Sequence, residues 1–218
     1  MYEFTVLDFD GTLFKTETIA IPVYKKVFTF FKEKGIYKGD IPTEKEIKSV
    51  MGMTVQDIAN KFMRVIRNEE QKLIRDMILY EELNLIKKGY GELYDNVKEI
   101  LYVLNKSGFK LYIASNGISK YVKSICDFMG ILKMFDNIYT SYDYNFSNKI
   151  DLVNFIIREE KLENKKGIMV GDRESDIAAG EMNNLYTVGC LYGYGNYNEL
   201  TRANVLIKDF KEILNIIK

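Results

Sequence analysis

Asp8 and Asp10 are two acids one residue apart, placed where the largely apolar run Tyr2 to Leu7 ends and Gly11 breaks the pattern. Such a run reads as a buried strand, so both carboxylates fall where a strand gives way to a loop. Alternate strand residues point the same way, and the spacing therefore predicts that both acids face one site. Neighbouring carboxylates repel unless a cation neutralises them or one keeps a proton. The pair predicts a metal site, an acid/base pair, or both.

Composition narrows the chemistry. The chain of 218 residues contains no histidine, which excludes Ser-His-Asp and Cys-His catalysis and every His-ligated zinc site. Cys126 and Cys190 are the only cysteines, too few for a thiolate zinc cluster. A metal here needs oxygen ligands, which favours Mg²⁺, Mn²⁺ or Ca²⁺. Cys126 shares an apolar helical face with Val122, Ile125 and Met129 and reads as a buried small side chain. Lys plus Arg equals Asp plus Glu at 31 each, so no global field attracts a nucleic acid polymer or an anionic membrane. Any anion specificity has to come from local placement. The start enters a strand with no signal-like segment, and no apolar run reaches membrane-spanning length, so a cytoplasmic protein is expected.

The elements that must position the acids follow a clear rhythm. After the first strand the spacing turns helical for about seventy residues. Val23, Val27, Phe30 and Phe31 lie at helical intervals until Gly35. Thr43 and Glu46 stand at capping-box spacing. A further start at Thr54 precedes Ile58, Phe62 and Val65, and a last helix over roughly 69–88 carries Leu73, Met77 and Tyr80 as its expected apolar stripe. From Tyr94 onward helices and strands alternate, with strands at 110–115, 137–140, 167–171, 185–188 and 205–207. Alternation of this kind implies an α/β fold, a Rossmann-like parallel sheet covered by helices on both faces. The expected organisation is an α/β core over 1–14 and 92–218, with a helical cap over 15–91 inserted after the first strand.

Parallel strands end on one edge, so the residues that follow them can be gathered together. They are Asp8 and Asp10, then Ser115 and Asn116, then Asp172 with Asp176 nearby, while Lys149 opens a helix after the third strand. Carboxylates, a hydroxyl, an amide and one cation suit a Mg²⁺-bound phosphoryl group. At this point the sequence resembles the haloacid dehalogenase-like hydrolase superfamily. Asp8-Phe-Asp-Gly-Thr-Leu13 is similar to its first motif, Ser115-Asn116 to its second, Lys149 to its third, and Gly171-Asp-Arg-Glu-Ser-Asp176 to its fourth. Ile150 stands where many members of the family have proline.

The resemblance implies that Asp8 is a nucleophile and metal ligand, and that Asp10 is the proton carrier, with its backbone carbonyl on the metal. It further implies phosphate contacts from Ser115 and the Asn116 backbone, neutralisation of charge on the phosphate and on Asp8 by Lys149, and Mg²⁺ ligation by Asp172 and, directly or through water, by Asp176. An acid at position 10 favours phosphatases and phosphomutases over the dehalogenases of the family. Leu191-Tyr-Gly-Tyr-Gly195 resembles a segment of phosphoglycolate phosphatase-like members, with a flexible loop as the alternative. Met51-Gly52-Met53 resembles the substrate loop of capped relatives, with a plain turn between helices as the alternative, so Gly52 is a candidate substrate contact. The function implied is a Mg²⁺-dependent phosphatase acting on a small phosphorylated metabolite: phosphoglycolate-like, a nucleotide or a sugar phosphate. A phosphomutase or pyrophosphatase of the same family is the nearest alternative, and a signalling module carrying an aspartyl phosphate is a remote one. Oligomeric state is not readable from the sequence.

Overall fold

The structure, a computed structural model, describes residues 2–217. The opening apolar run forms β1 (Phe4–Leu7), buried at every position, as a central parallel strand with both faces covered must be. The helical block follows as α1 (Glu17–Glu33), α2 (Glu44–Ser49), α3 (Val55–Phe62) and α4 (Asn68–Lys87). Next come α5 (Val97–Lys106), β2 (Lys110–Ser115), α6 (Ser119–Phe128), β3 (Asn137–Thr140), α7 (Lys149–Glu159) and β4 (Gly167–Gly171). The chain closes with α8 (Glu174–Met182), β5 (Tyr186–Cys190), α9 (Tyr197–Leu200), β6 (Val205–Ile207) and α10 (Ile213–Ile216).

Among the described residues six strands form one parallel sheet in the order β3-β2-β1-β4-β5-β6. The strand order reverses between β1 and β4, and an open α/β sheet binds ligands outside the carboxyl ends of its strands at such a reversal. The two-residue period of β1 sorts its side chains. Leu7 joins Ile113, Val170, Leu101 and Val122 on the face covered by α5 and α6. Phe4 and Val6 join Tyr112, Met169, Leu152 and Ile156 on the face covered by α7 and α8. The helical block has an apolar cluster of its own, which includes Val27, Phe28, Ile47, Met63 and Ile74.

Two expected faces in that block are corrected. Leu73 and Tyr80 are exposed, and the buried stripe of α4 is Ile74, Ile78, Glu82 and Ile86. A shift of one position rotates a helix face by about 100°. The true stripe carries an acid in its middle, which interrupts the apolar period and makes the neighbouring register look better. Val65 does not continue the α3 face, because α3 ends at Phe62 and Val65 stands 92% exposed. Thr43 and Glu46 do form the capping box at the start of α2, and Thr54 caps α3 by accepting from the Asp57 amide. Cys126 is buried on α6 as expected, and Cys190 is the buried last residue of β5. Among the described residues no helix is long and apolar enough to cross a membrane.

Candidate active site

Asp8 directly follows β1, and its amide donates to the Val170 carbonyl at 2.9 Å, which locks it beside the end of β4. It continues the parity of Phe4 and Val6, so its carboxylate points to the side of the sheet covered by α7 and α8. Lys149, the first residue of α7, meets it there. The Lys149 Nζ lies 2.5 Å from Asp8 Oδ1 and 2.5 Å from Asp176 Oδ1, and all three side chains are buried. A lysine chosen from sequence among many is thus placed as the bridge between two acids far apart in the chain. Burial draws the Lys149 ammonium down, yet Asp176 and Asp8 together hold it above its ordinary value.

Asp172 follows β4, and Asp176 sits in the first turn of α8, where it accepts from the Arg173 amide at 2.9 Å. One oxygen from each of Asp8, Asp172 and Asp176 falls within 4.8 Å of the others. The Thr12 Oγ1 lies 3.3 Å from both Asp8 Oδ2 and Asp172 Oδ1. Burial raises the Asp8 carboxyl well above its ordinary value, and Asp176 and Asp172 add to the rise while Lys149 opposes it. Burial, reinforced by Asp176, pushes Asp172 up to about 7. These shifts have one cause: three acids share a dry site with a single lysine, which leaves two negative charges without a partner.

The expectation that both opening acids face the same way is corrected. Asp10 lies beyond the end of β1, where strand parity no longer operates. Gly11 turns the chain with φ of +91°, and the Phe14 amide bonds back to the Phe9 carbonyl at 3.0 Å. The Asp10 carboxylate is carried away from the acidic cluster and accepts from Thr16 Oγ1 at 2.6 Å and from the Tyr121 hydroxyl at 3.1 Å. Burial raises its pKa, although both hydrogen bonds lower it. Its carboxylate is therefore not one of the three clustered groups. Thr12 falls within the first motif, whereas Thr16 and Tyr121 belong to no motif in the sequence. Tyr121 reaches Asp10 because α6 lies against the segment after β1, where its ring meets Phe9 edge-on.

Ser115 ends β2 and is fully buried, with its Oγ accepting from the Gly117 amide at 3.0 Å. The Asn116 side chain takes a different task. Its Nδ2 donates to the Gly52 carbonyl at 2.9 Å, and its Oδ1 accepts from Ser141 at 2.9 Å. Arg173 adds a second tie, its Nη1 donating to the Met51 carbonyl at 3.0 Å. The turn at Met51 and Gly52 is thereby held against the strand ends, and a Cβ built on Gly52 would lie 3.9 Å from the Asp10 carbonyl oxygen.

The loop at 193–195 is not free either. The Tyr194 amide donates to Asp172 Oδ2 at 2.6 Å, and Gly195 closes so tightly that a Cβ there would stand 1.8 Å from the Asp172 carbonyl oxygen. Gly195→Ala is expected to push this loop off Asp172 and to cost about 1–3 kcal/mol. Thermal melts of the variant check this, and an unshifted melting temperature counts against the packing described.

A family model described as haloacid dehalogenase-like hydrolase matches residues 5–190, which span β1 to β5. The chain belongs to this family. A phosphoglycolate phosphatase of Vibrio cholerae is 31% identical over 116 residues, 52% of this chain and 50% of that protein. A 5'-nucleotidase of Pseudomonas aeruginosa is 28% identical over 111 residues, half of each chain. The chain thus matches these curated relatives over about half their length. The fold is shared with CbbY of Rhodobacter sphaeroides, with a TM-score of 0.83 at 19% identity covering 98% of this chain and 96% of that one.

The residues of this haloacid dehalogenase-like chain fit a hard divalent cation. The clustered donors are all carboxylate oxygens, which suit Mg²⁺ and exclude a soft-ligand preference. A buried acid group with two uncompensated charges costs several kcal/mol per ion unless a cation joins it. A divalent ion would supply the missing charge.

Proposed function

We propose that the protein is a Mg²⁺-dependent phosphatase of small phosphomonoesters, with residues 15–91 acting as a cap over the site. The observation that carries this reading is the buried group of Asp8, Asp172, Asp176 and Lys149 at the strand-order reversal, one lysine against three acids. Asp8, Asp172 and Asp176 would hold Mg²⁺, which supplies charge to a phosphoryl group when bound.

Asp8 attacks phosphorus through a carboxylate oxygen, the P–O bond to the alcohol breaks, and Asp10 gives its proton to the departing oxygen. Burial raises the Asp10 carboxyl above its ordinary value, the direction a proton donor needs. Asp10 then takes a proton from the water that attacks the aspartyl phosphate, which releases phosphate and restores Asp8. Thr16 and Tyr121 hold the Asp10 carboxyl in place through both halves. Lys149 neutralises negative charge at Asp8, and the Ser115 hydroxyl offers a neutral donor to phosphate.

The test is phosphate release from a panel of phosphoglycolate, nucleoside monophosphates, pyrophosphate and sugar phosphates, with and without Mg²⁺. Release that requires Mg²⁺ is the expected result, and no release from any ester sinks the reading. Isomerisation of a sugar phosphate without net release would decide for the phosphomutase alternative.

A further inference from the structure

Between the helical block and the strand ends lies a chamber that begins at Asp10 and runs under α4. Its walls are mainly apolar, with Val50, Met51, Ile58 and Ile78 among them. It adjoins the acid that is to protonate the departing oxygen, so it is where the alcohol part of a substrate would sit. Glu82 of α4 lines it and is only 9% exposed.

Among the described residues Glu82 has no hydrogen-bonding or ion-pair partner, unlike the acids of the cluster described above, and its oxygens open onto the chamber rather than being sealed in the core. The hydroxyl of Tyr24, on the same chamber, has no partner either and is open to it in the same way. Every other carboxylate in the site is held by a hydroxyl, an amide or Lys149. A carboxyl that is nine-tenths withdrawn from solvent and has no partner in the protein is desolvated at a cost, and a ligand in the chamber can complete it. Arg75, two helical turns away on α4, is the one cation on the chamber wall among the described residues. It is only partly buried and also lines the open cleft beside Asn116 and Ser141, so solvent shares its charge.

We propose that Glu82 selects the substrate, and that the chamber takes a phosphomonoester whose alcohol has an apolar body and carries an amine. The proposal rests on the phosphatase reading given above and goes beyond it in naming the leaving group. An ammonium gives Glu82 both a donor and a positive charge. A hydroxyl gives only the donor. A carboxylate such as that of phosphoglycolate would face Glu82 across a dry space with no cation between them. Burial, with Asp10 adding to it, holds Glu82 up at about 8, and an entering ammonium would lower it again.

The experiment compares kcat/KM for aminoalkyl phosphates of increasing length with alkyl and hydroxyalkyl phosphates of the same length and with phosphoglycolate. Wild-type protein, Glu82→Gln and Glu82→Met are measured with Mg²⁺. Wild-type protein should favour the best aminoalkyl ester over its alkyl counterpart by roughly tenfold to a hundredfold, the range for a hydrogen bond to a charged group. That ratio should fall towards one in Glu82→Gln and below one in Glu82→Met, chiefly through KM, and both variants should melt at or above the wild-type temperature. An unchanged ratio in the variants, a wild-type preference for the hydroxyalkyl ester, or a preference for phosphoglycolate overturns the proposal. Wild-type hydrolysis of 4-nitrophenyl phosphate, whose leaving group has no donor, separates the two levels. Its hydrolysis without any amine preference overturns the Glu82 assignment alone, and its absence together with all other hydrolysis overturns the phosphatase reading and this one with it.

Discussion

Asp8→Asn is expected to reduce phosphate release by on the order of 10⁵-fold or more, the scale at which removing a nucleophile leaves only binding and electrostatic assistance. An amide oxygen is a far weaker nucleophile than a carboxylate oxygen, while its shape is nearly the same. The Lys149 contact at 2.5 Å loses its ionic character, but Asp176 still holds the lysine. One buried negative charge also disappears from a site that has two to spare. The variant should therefore fold and melt close to the wild-type temperature while single-turnover assays show no aspartyl phosphate. Asp10→Asn should behave differently. Its carboxylate lies outside the acidic cluster and bonds Thr16 and Tyr121, so Mg²⁺ should still raise the melting temperature while transfer and hydrolysis both slow. Near-normal turnover by Asp8→Asn would remove the nucleophile assignment.

Lys149→Met should have the largest effect on the fold, because it removes the one ammonium shared by Asp8 and Asp176. Deleting one partner of a buried ion pair costs about 3–5 kcal/mol, since the remaining charge stays in a dry site. The pH dependence follows from the direction of the acid shifts. Asp8 and Asp172 already have raised values in the folded chain, Asp172 at about 7, and loss of the lysine raises them further. The folded chain then keeps protons that the unfolded chain has released. Stability is highest below the ordinary carboxylate range and falls as pH rises through the folded values. The variant's deficit against wild type should thus be wider at about pH 8 than at about pH 5. Mg²⁺ should narrow it, because loss of the ammonium leaves the acids to bind the cation more tightly than in wild type, and each tenfold gain in affinity at saturating Mg²⁺ adds about 1.4 kcal/mol to the variant alone. Thermal melts at both pH values, with EDTA or with Mg²⁺, provide the check. Equal melting of variant and wild type in EDTA at both pH values would show that Lys149 does not neutralise these acids.

Much of the site was legible in the chain because it depends on strand ends. Short apolar runs bounded by Gly, Asp, Ser and Asn marked β1, β2 and β4, and parallel strands deliver whatever follows them to one edge. Asp8, Ser115 and Asp172 needed nothing more to be placed. Lys149 and Asp176 stand less firmly in that strand-end set, since lysines and acids are many, and the family motifs gave them their roles; the structure brings both into the buried cluster. The α/β class and the helical insertion were equally plain, because local periodicity reports whether an element is a helix or a strand.

Tertiary packing alone decided three things. Asp10 leaves the face it was expected to share with Asp8, because the chain turns at Gly11 and only the packing of α6 brings Tyr121 to meet it. Asn116 and Arg173 bond the backbone at Gly52 and Met51, contacts that no sequence pattern encodes because the acceptors are carbonyl groups common to every residue. The buried face of α4 departs from the apolar period, since its stripe contains Glu82 and apolar periodicity cannot count an acid as core. Sequence patterns record which residues are close along an element. Which groups then meet across elements, and which acid is left without a partner, depends on distances that exist only after the helices have closed over the sheet.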